Sequence, residues 1–173
     1  RWLDRALSES KAGWNVVVQQ TLMAQLDRKV GAGKQFWTDG WDGYPVARQR
    51  LLNSIQSSRA RNPIVLGGDV HMHWVADLKP DFDDPKSPVV ASEFCGTSIT
   101  SQGPSQKQID DRMPDNPHVK YGSGRRGYVR VEVTPQRLLA DLRGMDTVKV
   151  RDAACSTLKS FAVEDGKAGP IPA

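Results

Sequence analysis

Hydrophobic positions along the first half of the chain alternate between helical and strand spacing. Apolar residues near the amino terminus predict a short amphipathic helix that ends near Gly13, and a second helix is predicted over residues 46–58. Each helix is followed by a short apolar run, first Val16–Val18 within a strand at 14–19 and later Ile64–Leu66, of the kind found in fully buried strands. The alternation of helix and strand predicts an α/β sheet.

The later half of the chain is predicted to consist mainly of strands and loops. The predicted elements are an extended segment at 74–78, a strand at 89–94, a short helix at 105–112, a half-buried strand at 127–134, its antiparallel continuation at 138–145 with Val148, and a last strand at 156–163. Gly interrupts 23–34, and Pro and Asp crowd 79–88, so both segments are predicted loops. Residues 1–165 are expected to form one domain and 166–173 a tail.

The composition fits a single domain with many turns. The chain has 173 residues, of which 15 are Gly and 11 are Pro, and it has no apolar stretch long enough to cross a membrane. Its net charge is +4, but the 24 basic and 20 acidic residues are interspersed, and no RNA-binding or zinc-finger signature occurs. We therefore expect no specific nucleic-acid module and no transmembrane segment, and we interpret the basic residues as a solvated surface.

A run of potential metal ligands follows the Ile64–Leu66 strand. After two glycines come Asp69, His71 and His73, whose side chains would share one face if the strand continued. Glycines at a strand end let the backbone turn sharply, and carboxylate and neutral imidazole groups bind divalent or trivalent ions. The alternative interpretation is a surface pair or a hydrogen-bonded buried pair of the same side chains.

Five segments of the chain match one family in order and spacing. They are WDGYPVARQRLL at 41–52, GGDVHMHW at 67–74, EFCGTSITS at 93–101, NPHVKY at 116–121 and RGYVRV at 126–131. Together they resemble the PhoD-like alkaline phosphatases, and the resemblance runs from about residue 1 to about residue 169. It covers only the later half of the catalytic domain of that family.

The resemblance implies that this chain is a partial catalytic domain. Family members begin their active site upstream with a metal-binding Cys, a Gly-Asp-Tyr segment and an Asp-Asp-His segment, and neither Cys95 nor Cys155 has that context. The implied fold class is α/β, with two packed mixed β-sheets flanked by helices as in the calcineurin-like metallophosphoesterases, of which this chain holds the C-terminal half. The missing N-terminal half of the domain is then its expected partner.

The same resemblance implies metal ligands. In most of that superfamily the last metal motif reads Gly-His-x-His, and here Asp69 replaces the first imidazole while His71 keeps the second. A carboxylate in place of an imidazole shifts the preference toward calcium or magnesium. Gln20 stands where the superfamily places a His, and its amide oxygen suits calcium. Hydrogen bonding that caps the strand end is the other interpretation of Gln20.

Five further positions have open interpretations. His73 is a metal ligand, or more simply a residue behind the ligands or on the surface. His118 faces the pocket as a phosphate donor or as the acid for the leaving group, or it is a structural loop residue. The planar guanidinium of Arg126 could bind phosphate bidentately, although most arginines of this kind lie on the surface. Asp39 and Asp42 flank a turn, where capping is favoured over contact with calcium.

The function implied by the resemblance is metal-dependent hydrolysis of phosphate monoesters or diesters. Two bridged metal ions, Fe³⁺ with Ca²⁺, would lower the pKa of a bound water, which then attacks phosphorus in line. Family membership also implies export to the periplasm or the cell exterior. The alternative, from a different class, is an inert fragment or structural module without activity of its own.

Overall fold

The structure, a computed structural model, describes all residues from Arg1 to Ala173. Along the chain the elements are α1 (Trp2–Glu9), β1 (Asn15–Val18), α2 (Pro45–Ser58), β2 (Pro63–Gly67), β3 (His73–Leu78), β4 (Ala91–Cys95), α3 (Gln106–Arg112), β5 (Val119–Ser123), β6 (Gly127–Val133), β7 (Arg137–Met145), β8 (Cys155–Glu164) and β9 (Ile171–Pro172), with 3₁₀ turns at Trp41–Gly43 and Met113–Asp115. None of the helices has the length and apolar composition needed to cross a membrane.

The first sheet has five strands in the order β1-β2-β4-β3-β5. β1, β2 and β4 are parallel neighbours, whereas β3 runs antiparallel to both β4 and β5. The carboxyl ends of the three parallel strands therefore meet at one edge, which we call the carboxyl edge. The loops that follow Val18, Gly67 and Cys95 all begin there, and ligands of α/β sheets gather at such edges.

The second sheet is antiparallel throughout, in the order β6-β7-β8-β9. Its strands follow one another along the chain with short connections, which join antiparallel neighbours directly. One face packs on the first sheet, so that Ile64, Val75 and Phe94 contact Leu142 and Phe161 in a buried apolar layer. The two packed sheets confirm the predicted α/β fold class, although only the first sheet is mixed.

The helices cover the other face of the first sheet. Leu7 of α1, Leu52 of α2 and Ile109 of α3 belong to a second apolar core together with Val65 and Trp74 of the sheet. The helices predicted at 46–58 and 105–112 are confirmed within one residue. Ser105 closes a capping box with Gln108 at the start of α3, which explains why that short helix forms.

The expectation that the valines of β1 are fully buried is wrong. Val16 and Val18 are 45% and 77% exposed, because β1 is the edge strand of its sheet and the second sheet does not cover its outer face.

At the carboxyl terminus, the predicted tail 166–173 includes β9, which pairs with β8, and the backbone N–H of Gly169 donates to Ser92 Oγ at 3.1 Å. A Gly- and Pro-rich composition predicts turns here but gives no sign of the strand that they bring into place.

A buried carboxylate attaches the predicted loop 23–34 to the first sheet. Glu93 in the middle of β4 is fully buried and accepts hydrogen bonds from the backbone N–H groups of Met23 at 2.7 Å and Ala24 at 2.8 Å. Burial raises the pKa of Glu93 to about 7, while these two hydrogen bonds and the charge of Arg48 lower it. The loop is thereby ordered although it contains no helix or strand.

Candidate functional site

Glycines bring the loops of the carboxyl edge into direct contact. A Cβ atom at Gly67 would lie 2.3 Å from the main-chain oxygen of Thr21, and one at Gly68 would lie 3.6 Å from that of Gln20. A Cβ atom at Gly103, in the loop after β4, would lie only 2.0 Å from the main-chain oxygen of His71. Hydrogen atoms at these glycines therefore let the loops after β1, β2 and β4 pack around one place.

Asp69 occupies a strained turn immediately after β2. The backbone N–H of Val70 donates to the carbonyl of Gly68 at 2.8 Å, which closes a three-residue turn around Asp69 with its φ at 69°. His71 also has a left-handed backbone, with φ at 56°. Residues other than glycine seldom adopt this conformation, and such strain is concentrated at functional sites. The strand therefore does not continue through the motif, and the turn directs the exposed Asp69 and half-buried His71 side chains instead.

The imidazole of His71 is held in one orientation by the loop after β4. Its Nδ1 lies 3.1 Å from the main-chain oxygen of Gln102. A carbonyl oxygen can only accept, so the hydrogen bond requires Nδ1 to carry the proton and leaves the lone pair on Nε2. Metal-binding histidines have this arrangement, with one ring nitrogen donating to a carbonyl and the other free for the ion.

Cys95 supports the same turn from below. Its buried thiol donates to the carbonyl oxygen of Gly68 at 3.3 Å. Burial raises the pKa of the Cys95 thiol well above its ordinary value, and the carboxylates of Glu93 and Asp69 raise it further. Cys95 therefore stays protonated and acts as a hydrogen-bond donor beneath Asp69.

Gln19, not Gln20, makes the side-chain hydrogen bonds at the end of β1. Gln19 accepts from the backbone N–H of Thr21 at 3.1 Å and from the indole Nε1 of Trp41 at 3.0 Å, and its amide nitrogen donates to the Thr21 carbonyl. The Gln20 side chain is exposed and makes no hydrogen bond within the protein. Its main-chain oxygen lies beside Gly68, and the residue lines a pocket next to the carboxyl edge together with Trp41 and Tyr44.

His73 does not join Asp69 and His71 in solvent. It begins β3 with its ring completely buried, which does not support the surface interpretation of His73. Its Nε2 contacts the main-chain oxygen of Arg143 at 3.2 Å, and burial lowers the pKa of His73 to about 4, partly offset by that hydrogen bond. The strand alternation that begins at His73 points this ring toward the second sheet.

His118 lies at the opposite edge of the first sheet. The backbone N–H of Asp77, near the end of β3, donates to the His118 carbonyl at 2.9 Å, and Asp77 pairs with the start of β4. The ring Nε2 donates to the Gln25 carbonyl at 2.7 Å, and Phe82 packs on the ring with a centroid distance of 4.8 Å. Burial lowers the pKa of His118. The pocket-facing role expected for it is therefore not supported by its position, because Pro117 and the turn before β5 carry it away.

Arg126 is the predicted phosphate ligand that does lie near the site. Its Nη1 donates to the carbonyl of Thr100 at 3.0 Å, in the same loop that orients His71 through Gln102. The rest of its half-buried guanidinium has no acceptor in the protein. Arg125, in contrast, forms an exposed ion pair with Asp146 at 2.6 Å.

Sequence reasoning missed the structural role of the acidic residues around Arg48. Asp42 pairs with the buried Arg48 at 2.5 Å and accepts from the backbone N–H of Leu26 at 3.1 Å, so its role is structural, although it caps neither its own turn nor α2. Glu93 faces the same layer, and a carboxylate inside an otherwise apolar strand is the only sign that the sequence offers for it. Asp39 is exposed and makes no ion pair or hydrogen bond.

Asp69, His71 and Gln20 bring potential metal-binding groups to the carboxyl edge. No three side chains among His, Cys, Asp and Glu come together closely enough to hold an ion. Asp69 offers a carboxylate, His71 an imidazole nitrogen and Gln20 an amide oxygen, which are the donor types of mixed hard and borderline metal sites. The chemistry and tautomer of these groups fit a metal ion that receives its other ligands from elsewhere.

Known proteins resemble this chain in sequence and in fold. A sequence model of the PhoD-like phosphatases matches residues 1–142. Over 98% of its length the chain is 40% identical to alkaline phosphatase D of Bacillus subtilis (strain 168), and it covers 30% of that protein. A solved structure described as the structure of PhoD superimposes with a TM-score of 0.91 and 38% identity over 99% of this chain and 33% of its own. The chain thus spans about a third of the length of these relatives, and it belongs to the PhoD-like phosphatase family.

Proposed function

We propose that this chain supplies part of the active site of a metal-dependent phosphate ester hydrolase acting on monoesters and diesters. The observation that carries the proposal is the left-handed turn at the carboxyl edge, where Asp69 is exposed and His71 has its Nε2 lone pair free. Membership of the PhoD-like phosphatases and the 40% identity to alkaline phosphatase D support it.

The residues of this chain have distinct tasks in that proposal. Asp69 and Gln20 would supply oxygen ligands and His71 a nitrogen ligand to a dinuclear centre of Fe³⁺ and Ca²⁺. Such ions lower the pKa of a bound water and stabilise the charge that develops on phosphorus. Cys95 and the Gln102 carbonyl hold the turn and the imidazole in place. Arg126 would orient the phosphate through its free N–H groups.

The proposal includes a partner for the chain. The donors present are too few for a dinuclear centre, and the curated relative is about three times as long. We infer that the remaining ligands come from an N-terminal half of the catalytic domain and that residues 1–173 alone are inactive. An inert structural fragment is the second candidate, and the same shortage of donors favours it. Export to the periplasm or cell exterior is carried over from the family.

One experiment separates the two candidates. In the complete enzyme, Asp69→Asn and His71→Asn should each lower hydrolysis of a chromogenic phosphate ester by roughly 100-fold or more and reduce bound metal, because each removes a ligand. Asn tolerates a left-handed backbone, so both variants should fold. Asp81→Asn, an exposed aspartate far from the edge, is the matched control. Full activity and metal content in both site variants would overturn the proposal.

A further inference from the structure

A pocket that the proposed function does not use borders the loop after β1. It has a volume of about 280 Å³ and is lined mainly by Gln20, Asp39, Trp41, Tyr44 and Ala47. Its wall is the segment after β1, and the main-chain oxygens of that segment touch Gly67 and Gly68. Residues 19–21 therefore border both the pocket and the turn that carries Asp69.

The two aromatic residues differ in how firmly they are held. Trp41 is half-buried and its indole Nε1 donates to Gln19 Oε1 at 3.0 Å, so its ring is fixed before any ligand arrives. Tyr44 is 65% exposed at the start of α2, and its side chain makes no hydrogen bond there. A fixed indole ring and a free phenol ring in the lining of one pocket can each stack on a flat group.

The charges around the pocket exclude the phosphate itself. The lining contains no Lys or Arg, and its one charged group is the unpaired carboxylate of Asp39. That carboxylate would repel a phosphate but accepts hydrogen bonds from hydroxyl or amino groups. The exposed amide of Gln20 offers both a donor and an acceptor. The volume is at the lower end for ligand pockets and suits one ring system.

We infer that this pocket binds the alcohol portion of the phosphate ester, and that the portion is a planar ring carrying hydroxyl or amino groups, such as a nucleoside or a substituted phenol. The ring stacks on Trp41 and Tyr44, and Asp39 accepts from its polar substituents. The inference rests on the proposed function, because it is the metal site next to the pocket that gives the bound ring its role as part of an ester.

Kinetics of the complete enzyme test the inference on diesters that differ only in the alcohol portion. Tyr44→Ala should lower kcat/KM roughly tenfold for a nucleoside or phenyl diester, mainly through KM, and leave a methyl diester unchanged, because one stacking contact is lost. Tyr44→Phe should keep wild-type selectivity. Asp39→Asn should lower kcat/KM for the nucleoside diester but not for the phenyl diester. Val46→Ala is the control, because Val46 lies two residues after Tyr44, is exposed and does not line the pocket.

A binding measurement keeps the two proposals separate. In the complete enzyme with ¹⁵N-labelled tryptophan, adenosine or p-nitrophenol should shift the indole N–H signal of Trp41, identified with Trp41→Phe, more than those of Trp2, Trp14, Trp37 and Trp74, and Tyr44→Ala should weaken that shift. If the complete enzyme hydrolyses no ester, the proposed function fails while this shift still decides on the pocket. An unmoved Trp41 signal, or equal losses for aryl and methyl esters in Tyr44→Ala, would overturn the inference.

Discussion

The imidazole Nδ1 of His71 lies 3.1 Å from the main-chain oxygen of Gln102, thirty-one positions further along the chain. This hydrogen bond joins the turn after β2 to the loop after β4, and it leaves Nε2 as the ring nitrogen with a free lone pair. A main-chain acceptor cannot be removed by substituting Gln102. Its position can be disturbed through Gly103, whose missing Cβ is what allows the loop to touch His71.

We expect Gly103→Ala to reduce metal affinity in the complete enzyme by about 10- to 100-fold, the usual effect of losing a hydrogen bond behind a metal ligand. The new Cβ would lie 2.0 Å from the His71 carbonyl, so the loop must move. Metal analysis of the purified protein measures the effect. Gly13→Ala is the control, because nothing lies within 4 Å of its Cβ position. Equal metal content in the two variants would contradict the orienting role of the loop.

The left-handed turn gives a second prediction, about stability. Asp69→Gly should be more stable than Asp69→Ala by about 1 kcal/mol, because glycine adopts a φ of 69° without the steric cost that alanine carries. Both variants should lose metal. Asp4, exposed within α1, provides a control of opposite sign, because alanine there should be more stable than glycine by about 1 kcal/mol. Denaturant unfolding of the four variants measures both differences, and the same order at both sites would contradict the strain.

His118 gives a prediction about acid stability. Burial lowers its pKa in the folded state, so its contribution to stability is complete above the unfolded pKa near 6.5 and is lost as the pH falls below that value. The free energy of unfolding of the wild type should therefore decrease more between pH 8 and pH 5 than that of His118→Gln. Parallel curves for wild type and His118→Gln would show that the buried ring titrates normally.

Glu93 gives the opposite dependence on pH. Its pKa is raised to about 7, so its stabilising effect is complete below about pH 4.5 and declines as the pH rises through 7. Glu93→Ala should destabilise the fold by about 3 kcal/mol in acid, because two buried backbone N–H groups lose their acceptor, and by less at pH 8. Denaturant unfolding at both pH values measures this, with the exposed Glu132→Ala as control. A cost that grows toward pH 8 would contradict the raised pKa.

Much of the fold follows from local pattern, whereas burial does not. The alternation of apolar and polar residues over Gly127–Val133 and the capping signal at Ser105 belong to the elements that contain them, and those elements form as predicted. The three consecutive valines in β1 form an apolar run that predicts a buried strand inside the sheet. Whether a strand is central or at the edge depends on which other strands arrive beside it, and that is decided by residues far away in the chain.

The candidate site shows the same division. The glycines after Leu66 predict the sharp turn that Asp69 occupies, whereas a period of two predicts a continuous strand through His73, where the backbone instead turns at Asp69 and at His71. The left-handed φ values are maintained by contacts with the loop of Gln102 and Gly103, which no local pattern near Asp69 contains. No residue close to His118 in the sequence indicates which edge of the sheet its side chain will reach.

The exposed edge at β1 has a consequence for handling the protein. One side of this strand presents peptide N–H and C=O groups with no neighbouring strand, beside the uncovered side chains of Val16 and Val18. Such an edge is a template for pairing between copies, so concentrated solutions have a route into aggregates that begins at β1. Val18→Lys blocks that route with a charge, as natural edge strands do, and makes the protein easier to concentrate for crystallisation.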